Sequence, residues 1–359
     1  MATGTDRILP ALEGKVVISI DAMGGDLGVS AIIKGMALSV KDNPEIGFIV
    51  HGDAAEIEKL LKKRPELAAV TVVRGTEKVV SMEDKPSRIL RNGKGTSMWS
   101  ALEAVEHAEA TVAVSCGNTG ALMALSMLRL RKAPGVNRPA IAVLWPSRNP
   151  SGYNVMLDVG ADIRADAEDL LQYALMGASY ARNGLGLEKP RVGLLNVGTE
   201  EHKGHTELHE AAELLTKAQA ANGFDYVGFV EGSDLPSDRV DIVVTDGFTG
   251  NIALKTGEGT AKLIREFLRD AFSHTPLARL AALFAMASLR RLQQRIDPRR
   301  VNGGVFLGLN GTVVKSHGSA DATGVAAAVR LAFNLAKSGF SEKLAARVAS
   351  GGSVSKNDA

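Results

Sequence analysis

The sequence has little of several residue types on which large classes of protein depend. It holds a single cysteine, so no intramolecular disulfide can form, and a reducing cytoplasm is the expected compartment. Aromatic residues make up only 4% of the chain, which argues against a platform for stacking nucleic-acid bases. The formal net charge of +2 is too small to indicate binding to nucleic acid. We therefore predict a cytoplasmic protein that binds no nucleic acid.

The sequence also lacks long apolar stretches. Its longest apolar run, residues 280–289, is about half as long as the roughly 20 residues that a membrane-spanning helix needs. Residues 1–14 lack the apolar core of a signal peptide. We expect a chain that does not cross a membrane, with one large domain over residues 15–349 and flexible ends at 1–14 and 350–359.

Sequence motifs of the common cofactor and hydrolase sites are missing as well. No G-x-G-x-x-G follows a predicted strand, and no G-x-x-x-x-G-K-[ST] is present, so neither a dinucleotide site nor a P-loop is indicated. The G-x-S-x-G elbow of α/β-hydrolases and the H-E-x-x-H of zinc proteases are absent too. We predict neither a cofactor nor a metal. The alternative that Asp21, Asp26, Asp158 and Asp246 hold a metal stays open, although N-capping also explains single aspartates.

The sequence does contain a regular alternation of strand and helix patterns. Short apolar runs rich in β-branched residues, such as 16–20, 111–114 and 240–244, alternate with longer amphipathic stretches. This alternation predicts parallel βαβ units with helices on both faces of one sheet. Because right-handed crossovers place the carboxyl ends of parallel strands on one edge, we expect the loops after the strands to converge there.

Five of these loops combine glycine with Asp, Asn, Thr or Ser immediately after a strand. Glycine lets backbone N–H groups approach a ligand closely, and helix N-termini favour anions. Together the loops predict a phosphate or polyanion site, although turns before helices are rich in these residues in any case. The five loops are DAMGGD (21–26), SCGNTG (115–120), DVGAD (158–162), NVGTEEHKG (196–204) and TDGFTG (245–250).

The chain is predicted to be organised around residues 240–259. A buried strand ends near Thr245, and a helix begins near Asn251. Asn251 and Lys255 are four residues apart, so they lie on one face of that helix, one turn apart. In open α/β sheets, ligands bind where strands end and helices begin. We therefore expect Asp246, Thr249, Asn251 and Lys255 to border a ligand site.

A second distinctive stretch lies within residues 260–300, which we predict to be a helical arm. Its apolar residues recur at helical spacing and arginines follow them, a pattern typical of a helix that lies on an anionic membrane. The same pattern fits a helix packed in the core or across a dimer, and the arginines also suit an acidic carrier protein. The residues that carry this prediction are Leu280, Phe284, Arg290, Arg291 and Arg295.

Seven segments, in order along nearly the whole chain, form a recognisable set of motifs: ISIDAMGGD (18–26), SCGNTGALM (115–123), RPA (138–140), LDVGAD (157–162), NVGTEEHKG (196–204), VVTDGFTGNIALK (243–255) and GLNGTVVKSHG (308–318). Together they resemble the PlsX family of phosphate acyltransferases. The chain departs from the family pattern at Cys116, where alanine is usual, and at Thr199, where glutamate is usual. A buried, unreactive thiol is the simpler interpretation of Cys116.

The resemblance implies both a fold and a reaction. The implied fold is a Rossmann-like, three-layer α/β/α arrangement with a mostly parallel sheet, similar to the phosphotransacetylases and the isocitrate/isopropylmalate dehydrogenases. The implied reaction converts long-chain acyl–acyl carrier protein and inorganic phosphate to acyl phosphate. The family further implies a homodimer without a redox cofactor that works peripherally at an anionic membrane surface in phospholipid synthesis.

Phosphorolysis of a thioester makes modest demands on an enzyme. Inorganic phosphate is itself a nucleophile, so positioning and stabilisation of the oxyanion supply most of the catalysis. The candidate catalytic residues are Lys203, Lys255, Asn251, Asp246 and His317. The candidates for binding phosphate or the oxyanion are Asp21, Gly24, Gly25, Asp26, Ser115, Gly117, Asn118, Thr119, Asn196 and Thr249.

Other interpretations of the chain stay open at this point. Each lysine also fits a solvated helix face, His317 a structural role beside a glycine turn, and the aspartates helix N-caps. A phosphotransacetylase acting on a short acyl-CoA is the nearest alternative enzyme, and a membrane-surface scaffold is the non-enzymatic one. A mostly apolar tunnel near residues 274–300 would favour the long-chain acyltransferase.

Overall fold

Strands and helices alternate along most of the chain, as the sequence predicts. The structure is a computed structural model that describes residues 12–275, 284–285, 303–340 and 343–344. Within these ranges the strands are β1 (Val16–Asp21), β2 (Ile46–Gly52), β3 (Thr71–Gly75), β4 (Val112–Ser115), β5 (Ala140–Pro146), β6 (Tyr153–Leu157), β7 (Arg191–Leu195), β8 (Asp225–Val230), β9 (Ile242–Val244), β10 (Gly304–Leu307) and β11 (Thr312–Lys315). The helices are α1 (Gly28–Asp42), α2 (Ala54–Leu61), α3 (Pro65–Ala68), α4 (Pro86–Asn92), α5 (Ser97–Glu106), α6 (Thr119–Arg129), α7 (Ala167–Leu185), α8 (Thr206–Asn222), α9 (Gly247–Ser273) and α10 (Ala322–Lys337).

The described strands form one mixed sheet in the order β3-β2-β1-β4-β11-β10-β5-β6-β9-β7-β8. On one side, β1, β2, β3, β4 and β11 run parallel to one another. On the other side, β6, β7, β8 and β9 are also mutually parallel. We call these two groups the first and the second half-sheet.

The two half-sheets run in opposite directions, so the prediction that all strand ends share one edge was wrong. Strand β10 is antiparallel to both of its neighbours, β11 and β5, and β5 is antiparallel to β6. Short connections at residues 147–152 and 308–311 join β5 to β6 and β10 to β11. Connections this short reverse the chain, whereas a parallel crossover needs a dozen or more residues.

Two central strands were not predicted from the sequence. The runs that form β10 and β11 are only four residues long and lie among the glycines at positions 303, 304, 308, 311 and 318, so they carry little periodic signal. Both are buried along nearly their whole length. They join the first half-sheet to β5, and helix α10 follows them and packs against α1.

The side chains of β5 alternate between two apolar clusters, one on each face of the sheet. Ala140 and Ala142 belong to the cluster on one face of the sheet, whereas Ile141, Val143 and Trp145 belong to the cluster on the other face. Successive side chains of a strand point to opposite faces, which accounts for this pattern. The second face is the one that α9 covers.

Helix α9 is long and makes few buried contacts. Of its 27 residues, only Gly247 and Gly250 are buried. Its exposed apolar residues include Phe248, Ile252, Leu263 and Phe267, which recur at helical spacing along one side. Such a stripe is unusual on an isolated helix and suits a surface that meets another apolar body.

Part of the predicted arm lies within the described residues. Residues 260–273 are the end of α9, and Phe284 is 85% exposed. Leu280, Arg290, Arg291 and Arg295 lie outside the described residues, as do most of the predicted flexible ends. Among the described helices, none combines the length and the apolar character that spanning a bilayer requires.

The contact between α1 and α10 gives a test of the packing. A Cβ at Gly35 would lie 2.5 Å from Cβ of Val325 and 2.9 Å from the Ala322 carbonyl oxygen. We therefore expect Gly35→Ala to lower the free energy of unfolding by about 1–3 kcal/mol, as overpacking does. Urea denaturation measures the change. The neighbouring exposed residue provides the control, because Lys34→Ala should alter stability by about 0.5 kcal/mol or less; equal stability of the two variants would contradict the packing.

Candidate active site

A pocket of about 710 Å³ lies between α9 and the central strands. It runs along β5 from Ile141 to Pro146, so it reaches from one end of that central strand to the other. The loops after strands of both half-sheets border it, even though those strands run in opposite directions. The residues contributed by strand ends and helix starts are Thr119, Gly120, Val159, Gly160, Asn251, Lys255, Lys315, Ser316 and His317.

Helix α9 presents two adjacent stripes to this pocket. Asn251, Lys255 and Glu258 form a polar stripe, and Leu254, Gly257 and Ala261 form an apolar one; all six line the pocket. Residues three and four apart lie on one face of a helix, which explains both stripes. Asn251 and Lys255 thus lie on one helix face and line one pocket; that this pocket binds a ligand stays a prediction.

Charged groups gather at the end of β11. The Lys255 Nζ atom lies 2.8 Å from Glu258 Oε2, and His317 Nε2 lies 3.9 Å from the same oxygen. On its other side, His317 Nδ1 lies 2.8 Å from the hydroxyl of Ser319. Burial lowers the pKa of His317, Lys255 and Lys315 lower it further, and Glu258 opposes them. The imidazole is therefore neutral near pH 7 and can accept a proton.

Lys315 is the main pocket residue that the sequence analysis missed. Its Nζ atom donates to the carbonyl oxygens of Cys116, at 3.4 Å, and Ser316. Burial lowers the pKa of Lys315 to about 8, with a further contribution from Lys255, so the side chain is still mostly charged at pH 7. Lys315 is the last residue of β11 and is followed by Ser316 and His317. Its position at the end of a strand would have marked it as a candidate if β11 had been recognised in the sequence.

The loops after β1 and β4 pack closely against each other. Ser115 Oγ donates to Asp21 Oδ2 at 2.7 Å and accepts from the Gly117 N–H at 3.0 Å. A Cβ at Gly24 would lie 2.7 Å from the Gly117 nitrogen, so only glycine fits there. Burial raises the pKa of Asp21, and its hydrogen bond with Ser115 opposes that shift. These residues shape the loops, and none of them lines the pocket.

Asp26 and Gly25 connect the same loops to the end of β11. The Asp26 N–H donates to the Gly318 carbonyl oxygen at 2.8 Å. A Cβ at Gly25 would lie 3.2 Å from Cβ of Cys116 and 3.4 Å from the same carbonyl oxygen. Both residues therefore fix the position of the segment that carries Lys315 and His317.

Asn118 ties the start of α6 to the segment at residues 81–84. Its Oδ1 atom accepts from the Ala121 N–H at 3.0 Å, which caps the helix. Its Nδ2 atom donates to the carbonyl oxygens of Met82, at 2.8 Å, and Asp84, at 3.1 Å. The side chain is thus engaged with the protein itself, while Thr119 beside it lines the pocket.

On the second half-sheet, a buried carboxylate organises the loop after β6. Asp158 accepts backbone N–H groups from Ile141 at 2.8 Å and Asp162 at 2.7 Å, among others. Burial raises the pKa of Asp158, and these backbone hydrogen bonds oppose the shift. A Cβ at Gly250 would collide with the Asp158 carbonyl oxygen, so the start of α9 rests directly on this loop.

Asp246 and Thr249 stabilise the N-terminus of α9. Asp246 caps α9 by accepting from the Thr249 N–H at 2.9 Å and from its hydroxyl at 2.7 Å. The first turn of α9 then places Asn251 beside Gly160, where a Cβ would lie 3.2 Å from Asn251 Nδ2. Of these residues, Asn251 and Gly160 line the pocket.

The loop after β7 is not among the segments that line the pocket. Asn196 Nδ2 donates to the Lys203 carbonyl oxygen at 2.9 Å, and Lys203 Nζ lies 2.8 Å from Glu200 Oε1. The hydrogen bond to Glu200 raises the pKa of Lys203. Because β7 pairs with β9, this loop is the neighbour of the one that begins α9.

Neither a thiol nucleophile nor a metal cluster stands out in the described part of the chain. Cys116 is buried, and burial raises the pKa of its thiol to about 11, so the thiolate is scarce at neutral pH. This agrees with its interpretation as an unreactive thiol. Among the described residues, no group of three or more His, Cys, Asp or Glu side chains is arranged to hold a metal ion.

Solved structures with this fold include phosphotransacetylases. One from Streptococcus pyogenes matches with a TM-score of 0.60 over 91% of this chain and 95% of that chain, at 18% identity. The EutD phosphotransacetylase from Staphylococcus aureus matches with a TM-score of 0.58 over 90% and 96%, at 16% identity. At such identity the likeness shows the fold alone. It confirms the predicted fold class, a mostly parallel α/β sheet of the phosphotransacetylase group.

The sequence comparisons identify the family. A family model described as "Fatty acid synthesis protein" matches residues 16–343. A phosphate acyltransferase from Paracoccus denitrificans is 70% identical over 97% of this chain and 95% of its own length. One from Jannaschia sp. is 70% identical over 94% of this chain and 92% of its own. The chain belongs to this family, the PlsX family of phosphate acyltransferases, which confirms the resemblance in its sequence motifs and makes it an acyltransferase.

The lowered pKa of Lys315 gives a test of the site's electrostatics. The pKa is about 8 in the folded protein, against roughly 10.4 for an unfolded lysine, so the unfolded chain binds more protons between these values. This lysine therefore makes stability rise with pH over that window. We expect Lys315→Met to be more stable than the wild type at pH 7 by on the order of 1 kcal/mol, after discounting for partial exposure.

Urea denaturation of both proteins from pH 7 to pH 10 measures this difference. The advantage of Lys315→Met should shrink as the pH rises, because the wild-type lysine loses its charge. A difference that stays constant with pH would contradict the burial of a charged lysine at this site.

Proposed function

We propose that this protein converts long-chain acyl–acyl carrier protein and inorganic phosphate to acyl phosphate and free carrier protein. The observation that supports this most is the division of the pocket into a cationic side and an apolar side. Lys255 and Lys315 border the cationic side, next to the neutral His317, and Val143 and Leu254 border the apolar side. An anion and a hydrocarbon chain thus find matching surroundings in one cavity. The relatives named phosphate acyltransferases support the same reaction.

In this proposal the thioester is cleaved directly by phosphate. Lys255 and Lys315 hold the phosphate, and Lys255 leaves Glu258 to do so. A phosphate oxygen attacks the carbonyl carbon, and the Asn251 amide donates to the oxyanion that forms. The carbon–sulfur bond then breaks. His317 takes the proton of dihydrogen phosphate during the attack and returns it to the leaving sulfur, so the protons balance.

Residues outside the pocket lining have supporting roles in this proposal. Asp246 and Thr249 fix the start of α9 and so orient Asn251. The loops that contain Asp21, Ser115 and Asn118 hold the ends of β1 and β4 in place. Lys203, on the loop next to the start of α9, is a further cation that reaches the substrate when its contact with Glu200 opens. Asn196, which holds that loop by its bond to Lys203, positions it.

The carrier protein is proposed to dock on residues 78–94. This segment borders the pocket, because a Cβ at Gly318 would lie 2.7 Å from Met82 Cε and one at Gly120 would lie 2.9 Å from Pro86 Cγ. Its five basic side chains are all exposed and outnumber its two acids, Glu83 and Asp84. The apolar side chains of Met82 and Leu90 are exposed in the same segment. Positive charge next to exposed apolar side chains complements an acidic carrier protein. The basic residues concerned are Lys78, Lys85, Arg88, Arg91 and Lys94.

We further propose that the protein is a homodimer that works at the cytoplasmic surface of an anionic membrane. The exposed apolar stripe of α9, from Phe248 to Phe267, would pair with a second subunit. The arm that follows would meet the membrane, where acyl phosphate is consumed in phosphatidic acid synthesis. The pocket that α9 and β5 border offers an apolar surface for the acyl chain. An apolar tunnel near residues 274–300 stays a prediction, because most of that stretch lies outside the described residues.

The reaction is tested by incubating the protein with palmitoyl–acyl carrier protein, with and without inorganic phosphate. Release of carrier thiol should depend on phosphate and should be matched by acyl phosphate. Lys255→Ala and Lys315→Met should each lower kcat/KM by on the order of 10²–10³. Lys262→Ala, an exposed change on the same helix, is the control and should be neutral. Release without phosphate, or turnover of acetyl-CoA alone, would contradict the proposal.

Docking of the carrier is tested by charge reversal. The double variant Arg88→Glu/Arg91→Glu should raise the KM for palmitoyl–acyl carrier protein by about tenfold, because it repels an acidic partner. Its KM for palmitoyl-CoA should change much less. The matched control is Lys62→Glu/Lys63→Glu, which reverses two exposed charges after α2. An equal effect of both double variants would show that overall charge, rather than this surface, is responsible.

A further inference from the structure

The apolar side of the pocket is a continuous surface that begins at Lys315. Gly304 lies directly opposite Lys315 in the β10–β11 pair. A Cβ at Gly304 would lie 3.0 Å from Ile141 Cγ2 and 3.7 Å from Val143 Cγ1. Because Gly304 has no side chain, β10 places no side chain between Lys315 and the nearby Val143. The next β10 residue on this face, Phe306, is buried beside Ile141. A chain attached to a group at Lys315 can therefore lie across β10 onto β5.

The face of β5 that receives such a chain is apolar and long. Ile141, Val143 and Trp145 point to it, and Leu254 of α9 covers it. From Ile141 to Trp145 the strand rises about 13 Å, at about 3.3 Å per residue. This length suits an extended alkyl chain far better than an acetyl group.

Trp145 lies against a glycine in the middle of α9. A Cβ at Gly257 would collide with Cη2 of the indole and would lie only 2.9 Å from its Cζ2. A glycine inside a helix lowers the stability of the helix by about 1 kcal/mol relative to alanine. The close contact with Trp145 explains why glycine is nevertheless present at position 257. Gly259, two residues further, provides a natural comparison, because a Cβ added there would have no atom within 4 Å.

We propose that this face of β5 is the acyl-chain subsite, and that the Trp145 indole, seated on Gly257, sets the length of chain that fits. The inference rests on the proposed function, since it assigns the hydrocarbon part of that substrate. Trp145 is only partly buried and lines the pocket, so its ring is available to the ligand. Trp145→Ala removes the boundary, and Gly257→Ala forces the ring about 1 Å or more from its place.

The test compares kcat/KM for octanoyl, dodecanoyl, palmitoyl and stearoyl carrier protein. Trp145→Ala should shift the preference towards stearoyl relative to the wild type, by about tenfold in the ratio of stearoyl to dodecanoyl. Trp145→Phe should shift it less. Gly257→Ala should change the same ratio, whereas Gly259→Ala, with the same gain in helix propensity, should leave it unchanged. Thermal unfolding identifies any variant that fails to fold.

A second readout separates this inference from the proposed function. Calorimetric binding of the corresponding free fatty acids reports on the subsite without turnover. Suppose that the wild type turns over no carrier substrate, but Trp145→Ala binds longer fatty acids in preference to those that the wild type binds. The proposed reaction is then wrong, whereas the acyl-chain subsite is supported. If turnover and binding keep the wild-type preference in Trp145→Ala and Gly257→Ala, the subsite assignment is overturned. An equal shift in Gly257→Ala and Gly259→Ala would also overturn it.

Discussion

The reversal of direction at the centre of the sheet is the constraint on which the site depends. Strands β10 and β5 run against their neighbours, so the two half-sheets end at opposite edges. The pocket joins those edges because it follows β5 beneath α9. In open α/β sheets, ligands bind where the strand arrangement changes, and the pocket of this chain lies at such a place, beside β10 and β5.

Two buried carboxylates hold the loops on either side of that centre. Asp21 accepts the Ser115 hydroxyl in the first half-sheet, and Asp158 collects backbone N–H groups in the second. Hydrogen bonds to charged groups are stronger than neutral ones, and leaving such a carboxylate unpaired would be costly. Close contacts at Gly24 and Gly250 then leave no room for side chains. The pocket-lining residues are consequently held in place by residues that do not line the pocket themselves.

The sequence was informative where local spacing determines position. Asn251 and Lys255 share a helix face because they are four residues apart, and the loop after each long strand was recognisable from its apolar run. Lys315 was missed because β11 is a short run among glycines, which is more typical of a loop than of a central strand. Trp145 was missed because its contact with Gly257 joins segments more than a hundred residues apart. The opposite directions of the half-sheets depend on short hairpin connections, whose effect on pairing no local pattern reveals.

The proposed site places an anion and an alkyl chain in one pocket. The anion lies against the polar stripe of α9 and the alkyl chain against its apolar stripe. A crystal structure of the protein with a long-chain acyl phosphonate, a stable analogue of the product, tests it most directly. We predict that the phosphonate oxygens lie about 3 Å from Lys255 Nζ or Lys315 Nζ, with the chain along β5. A phosphonate bound only at the loop of Asn196 and Lys203, with the chain away from β5, would contradict the account.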